Sequence, residues 1–150
     1  MIPRISQAPQ VSELTTEFLN TLRQNGFTGD ISSTYADRLT MATDNSIYQL
    51  LPQAVIFPRS TADVTIVARL VDEPRFHSLS LTPRGGGTGT NGQALTEGIV
   101  VDLSRYMKRI IEINPEQRWV KVEAGVIKDE LNLFLKPYGF FFAPELSTSN

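Results

Sequence analysis

Apolar residues along this chain fall into short blocks whose spacing alternates between helical and extended. Residues 1–10 carry two prolines and read as an extended lead-in. Val11, Leu14, Phe18 and Leu22 then follow helical spacing, with Leu19 widening the stripe and Gly26 placed to end the helix. Residues 28–33 read as loop. Residues 35–48 show poor periodicity and many turn-forming polar side chains, which predicts a surface loop. Ala54 to Phe57 reads as a short buried strand stopped by Pro58. Ser60 followed by Asp63 has the form of a capping box, and Val64, Val67, Ala68 and Val71 line one helical face that closes at Glu73-Pro74. Leu79 to Thr82 returns as a strand, so the segment predicts a right-handed βαβ unit with parallel strands.

Beyond residue 98, Ile99 to Val101 reads as another buried strand. Lys108–Ile113 and Trp119–Glu123 follow as a hairpin pair around an Asn114-Pro115-Glu116-Gln117 turn. Val120 and Val122 share one face of the second strand. Lys121 and Glu123 share the other, which reads as solvated. Ile127, Leu131, Phe134 and Leu135 mark a last helix, with Asp129 and Glu130 in its early turns, Lys136 at its end and Pro137 as its stop.

The totals narrow the function classes. A chain of 150 residues, 41% hydrophobic and 20% charged, suits one soluble domain with a real core. A net charge of −2 argues against a nucleic-acid-binding face. No apolar run approaches the ~20 residues of a membrane span. The amino terminus lacks a secretory layout, so a cytoplasmic location is expected. With no cysteine, disulfides, thiol catalysis and iron–sulfur ligation are excluded within the chain. The single histidine, His77, reads as a solvated or locally bonded side chain and does not favour a metal site.

Chemistry concentrates in Thr82-Pro83-Arg84-Gly85-Gly86-Gly87-Thr88-Gly89-Thr90-Asn91-Gly92-Gln93, which holds five of the ten glycines. Successive N–H groups in such turns can converge into an anion-binding concavity. Gly87 to Gly92 satisfies the dinucleotide pattern G-x-G-x-x-G, but too few residues precede the next strand for the helix that pattern requires. Gly87 and Gly92 also have Walker spacing, yet Gln93 and Ala94 stand where its lysine and hydroxyl belong. A strand–glycine loop–strand arrangement remains, with pyrophosphate as its natural guest.

Pro83-Arg84-Gly85-Gly86-Gly87-Thr88-Gly89 resembles the pyrophosphate loop of the FAD-binding domain in the vanillyl-alcohol oxidase / p-cresol methylhydroxylase superfamily. Residues 54–64, 98–104 and 120–126 resemble its neighbouring strands. The resemblance implies an α+β fold, the first part of a PCMH/VAO-type FAD-binding domain. Its expected parts are a small parallel βαβ sheet, mainly antiparallel further strands and flanking helices. It divides the chain into an extension with one packing helix at 1–34 and a domain portion at 35–150, truncated at its carboxyl end. It further implies cofactor contacts from Pro83, Arg84, Gly85, Gly86, Gly87, Thr88, Gly89, Thr90, Asn91 and Gln93. Pro144, Ser147 and Thr148 resemble a second flavin-contacting segment. Arg84 could either neutralise charge or brace the loop. Threonine stands where some relatives carry a flavin-linking histidine, so non-covalent FAD is expected.

Residues 35–48 and 143–150 resemble, more narrowly, the bacterial D-2-hydroxyglutarate dehydrogenases, large fused proteins with a flavin domain followed by an iron–sulfur region. This implies a flavin-dependent dehydrogenase acting on a D-2-hydroxy acid, D-2-hydroxyglutarate favoured. The iron–sulfur cluster, catalytic residues and any catalytic metal are expected outside this chain, and the electron acceptor is left open. A non-catalytic nucleotide-binding module, a ligand-free glycine-rich domain and a flavin reductase of cell-wall synthesis are the competing readings.

Overall fold

The computed structural model describes residues 10–144. Helix α1 spans Glu13–Gln24, and Ser12 caps it by accepting a hydrogen bond from the Thr15 amide at 3.1 Å. Strand β1 follows at Asp30–Ser32, where a loop was expected, and pairs antiparallel with β2, Ala54–Phe57. Three residues are too few for alternation to register, so pairing with β2 creates this strand. Between them, Tyr35–Thr40 forms α2 in place of the expected surface loop, with the Thr34 hydroxyl accepting from the Asp37 amide. Arg38 is buried there and donates to the Pro52 carbonyl at 2.6 Å.

Helix α3, Thr61–Val71, begins at Ser60, whose hydroxyl accepts from the Asp63 amide at 3.2 Å. The reciprocal half of the capping box is redirected. The buried Asp63 carboxylate accepts from the Arg59 amide and from the Thr28 amide, both at 2.8 Å, tying the chain before α3 to the segment after α1. A single 3₁₀ turn, Pro74–Phe76, leads to β3 at Leu81–Arg84, two residues later than the spacing predicts. β4 is Ile99–Asp102. The sheet order is β1-β2-β4-β3, with β4 parallel to both β2 and β3. Pro83 is accommodated because β3 lies at the sheet edge, opposite Val101, with its missing N–H on the unpaired side.

The pleat sends residues to two cores. Ala54, Ile56, Ile99 and Val101 pack with Phe18, Leu22, Val67, Leu70 and Phe76 beneath α1 and α3. Val55, Phe57 and Val100 face the opposite side, against Met41 and Tyr106. Both faces of β2 and β4 are therefore covered, which explains their unbroken apolar runs.

The remaining chain is a hairpin and a helix. β5, Ile110–Asn114, pairs antiparallel with β6, Trp119–Val122, with an irregularity between Ile110 and Glu112. α4 spans Lys128–Leu135, and a 3₁₀ turn at Lys136–Tyr138 ends on Gly139 at φ 76°. The expectation that Lys121 and Glu123 form a solvated face fails for Glu123. That residue is buried and accepts from the Arg109 Nη2 at 2.7 Å.

Candidate functional site

The glycine loop leaves the carboxyl end of β3, where open α/β sheets place ligands. It spans residues 85–98 and joins two adjacent parallel strands without a helix. Ala94, Leu95 and Thr96 are buried at the end of the loop. The return is tight: Ile99 donates to the Ser80 carbonyl at 2.8 Å, and a Cβ on Gly98 would run into that same oxygen. The missing helix agrees with the rejection of the G-x-G-x-x-G pattern.

Arg84 points from β3 onto the Met41 face of the sheet, nearly buried. Its guanidinium donates to the Thr43 carbonyl at 2.8 Å and the Met41 carbonyl at 3.3 Å. Of the two roles left open for it, bracing is the one visible in these bonds. Gly87 lies directly over it at φ 66°, and a Cβ there would collide with the guanidinium. Arginine thus forms the floor of the loop, and glycine is required above it. Gln93 does similar work at the far end. Its Oε1 accepts from the Asn91 amide at 3.1 Å, and its amide fills the space a Cβ on Gly89 would need. Gly92, at φ 74°, rests against Tyr48.

The remaining predicted residues divide by position. Pro83, Gly85, Gly86, Thr88, Thr90 and Asn91 are exposed along the loop. Among the described residues, the amides of Gly85 to Thr90 donate no hydrogen bond, so six successive donors are available to a ligand. Pro144 sits at the end of a segment anchored where the Phe142 amide donates to Asn132 at 2.7 Å, and among the described residues no hydrogen bond joins that segment to the loop. Ser147 and Thr148 lie outside the described residues.

The segment 41–50 went unrecognised as part of this site. It folds back on itself through Leu50 N to Ala42 O at 3.0 Å and a bridge between Thr43 and Gln49. Asp44 accepts from the Ser46 amide at 2.8 Å, an Asx turn that its sequence spacing permits. The Ser46 hydrogen bond holds the Asp44 carboxyl below its usual range, with the Arg84 charge and the Ala94 amide contributing, while burial opposes the shift. Its Oδ2 is buried with no hydrogen-bond partner among the described residues. A separate cluster braces the carboxyl end of β2: Asp30 accepts from Arg59, Arg105 and the Tyr106 hydroxyl. His77 is occupied locally, its Nε2 lying 2.8 Å from the Asp72 carbonyl. No cluster suited to a metal ion occurs among the described residues.

Residues 52–150 match the family described as FAD binding domain. The chain belongs to this family. Among curated relatives, a D-2-hydroxyglutarate dehydrogenase of Escherichia coli is 71% identical over the whole chain, and one of Haemophilus influenzae is 55% identical. The chain spans about 15% of the length of each. A glycolate oxidase subunit of Bacillus subtilis is 34% identical over 67% of this chain and 21% of its own. Among solved structures, alkyldihydroxyacetonephosphate synthase aligns with a TM-score of 0.74 at 18% identity, covering 93% of this chain and 27% of that one. The shared fold is the α+β FAD-binding type, with a mixed four-stranded sheet and flanking helices. FAD is the cofactor of the family, and no helix among the described residues is long and apolar enough to cross a membrane.

Proposed function

We propose that the chain is the FAD-binding portion of a flavin-dependent dehydrogenase that oxidises D-2-hydroxyglutarate to 2-oxoglutarate. The observation that carries the cofactor site is the run of amides from Gly85 to Thr90 that are unpartnered among the described residues. A pyrophosphate brings two negative charges that are costly to desolvate without several convergent donors. Six amides, backed by the Arg84 cation beneath Gly87, answer that demand. Thr88 and Asn91 side chains, exposed beside them, add donors. FAD, when bound, supplies the hydride acceptor; this chain holds and orients it. No histidine lies in the loop, so attachment is non-covalent.

Substrate choice rests on the similarity to the D-2-hydroxyglutarate dehydrogenases. The substrate-binding groups, the catalytic residues and an iron–sulfur cluster then belong to the longer chain of which this would be one part. The test uses the full-length protein. Gly87→Val should abolish retained flavin, because its Cβ meets the arginine and its φ is unfavourable. Wild-type flavin content in that variant would remove the loop from the site. Turnover of D-2-hydroxyglutarate with an artificial electron acceptor tests the substrate, and its absence in flavin-loaded protein would favour a non-catalytic nucleotide module.

A further inference from the structure

Ile47 and Tyr48 stand out beside the glycine loop. Ile47 is 95% exposed and Tyr48 57% exposed, at the tip of an otherwise polar turn. The turn is not free to wander. Arg84 holds Met41 and Thr43 by their carbonyls, Asp44 holds Ser46, and the Tyr48 amide donates to the Ser46 hydroxyl at 3.1 Å. The Tyr48 ring lies next to Gly92, where an added Cβ would approach its Cδ2 to 3.1 Å. Among the described residues, the Tyr48 hydroxyl has no hydrogen-bond partner. An aromatic ring therefore lies against the same loop that presents the six amides, with much of its surface in water. A flat apolar surface of this kind gains most by stacking on another flat ring.

We infer that Tyr48 is a stacking platform for a planar heteroaromatic ring of the bound dinucleotide. The inference rests on the reading of the glycine loop as the pyrophosphate site. In a dinucleotide each ring system lies one sugar or ribityl chain from the pyrophosphate, so a ring adjoining the loop's far end is within its reach. Adenine and isoalloxazine share the chemistry that Tyr48 offers, and ligand fragments separate them.

The full-length protein, stripped of flavin, is titrated with FAD, ADP and riboflavin. Tyr48→Phe should bind FAD within about twofold of wild type, and Tyr48→Leu, which keeps the bulk and removes the ring, about tenfold more weakly. A parallel loss for ADP assigns adenine; a parallel loss for riboflavin, with a shifted visible flavin band, assigns isoalloxazine. Wild-type affinity for FAD in Tyr48→Leu overturns the inference. Gly87→Val separates the two proposals. If it retains FAD while Tyr48→Leu does not, the pyrophosphate assignment fails and the ring contact stands. If it loses FAD while Tyr48→Leu does not, the loop stands and the ring contact falls.

Discussion

Arg84 joins two segments more than forty positions apart, donating from β3 to the carbonyls of Met41 and Thr43. Arg84→Met keeps most of the volume but removes both bonds, at an expected cost of about 1–3 kcal/mol. The loss should appear as a lower thermal midpoint together with reduced flavin content. An unchanged midpoint would show that the 41–43 segment holds its place without the arginine. Glu123 makes a pH prediction. Hydrogen bonding from the Arg109 side chain, aided by its amide and charge, keeps the Glu123 carboxyl below its usual value of 4.5, against the opposing effect of burial. Between the folded and unfolded values the unfolded chain binds more protons. The stabilisation is thus complete above about pH 4.5 and is lost as pH falls through the folded value. Glu123→Gln should flatten the acid limb of stability against pH, read by thermal melts from about pH 3 to about pH 7, a span that brackets the carboxylate range. Superimposable limbs would dismiss the pair. The sequence could not place this side chain inside, because β6 ends at Val122 and an irregularity in β5 breaks the alternation that otherwise assigns faces.

At the level of elements, the long periodic segments were legible and the short ones were not. α1 and α3 present whole apolar stripes, and β2 and β4 present unbroken runs. β1 and α2 have three and six residues, below the length at which either period can be read. β3 runs two residues later than the Leu79 to Thr82 spacing predicts, through Pro83, which an edge strand tolerates. The glycine loop itself was visible as a motif. Its floor and its neighbouring turn were not, because both depend on Arg84 crossing to residues distant in sequence. Packing between elements gives a further prediction. Phe76 is fully buried and meets Phe18 edge-on with ring centroids 5.1 Å apart. Phe76→Ala should cost roughly 3–5 kcal/mol in chemical denaturation. A loss below about 1 kcal/mol would mean that the core collapses around the gap.

For the molecule as a whole, apolar surface is distributed unevenly. Ile111, Trp119, Phe141 and Phe142 are exposed, and Trp119, Phe141 and Phe142 line a cavity of about 260 Å³ between the hairpin and the segment after α4. A two-stranded hairpin is marginal alone, and a contiguous apolar face of this kind favours association. The isolated 150-residue chain should self-associate with rising concentration in sedimentation velocity, and Trp119→Lys should reduce it. A single monomeric boundary at all concentrations would count against this. The strand order carries a different consequence, for the birth of the fold. β4 sits between β2 and β3 yet is the last of the sheet's strands to be made. A nascent chain that ends before Ile99 has two parallel strands with no partner to join them. Residues 99–102 must therefore leave the ribosome before the sheet can close and before the glycine loop is pinned at both ends.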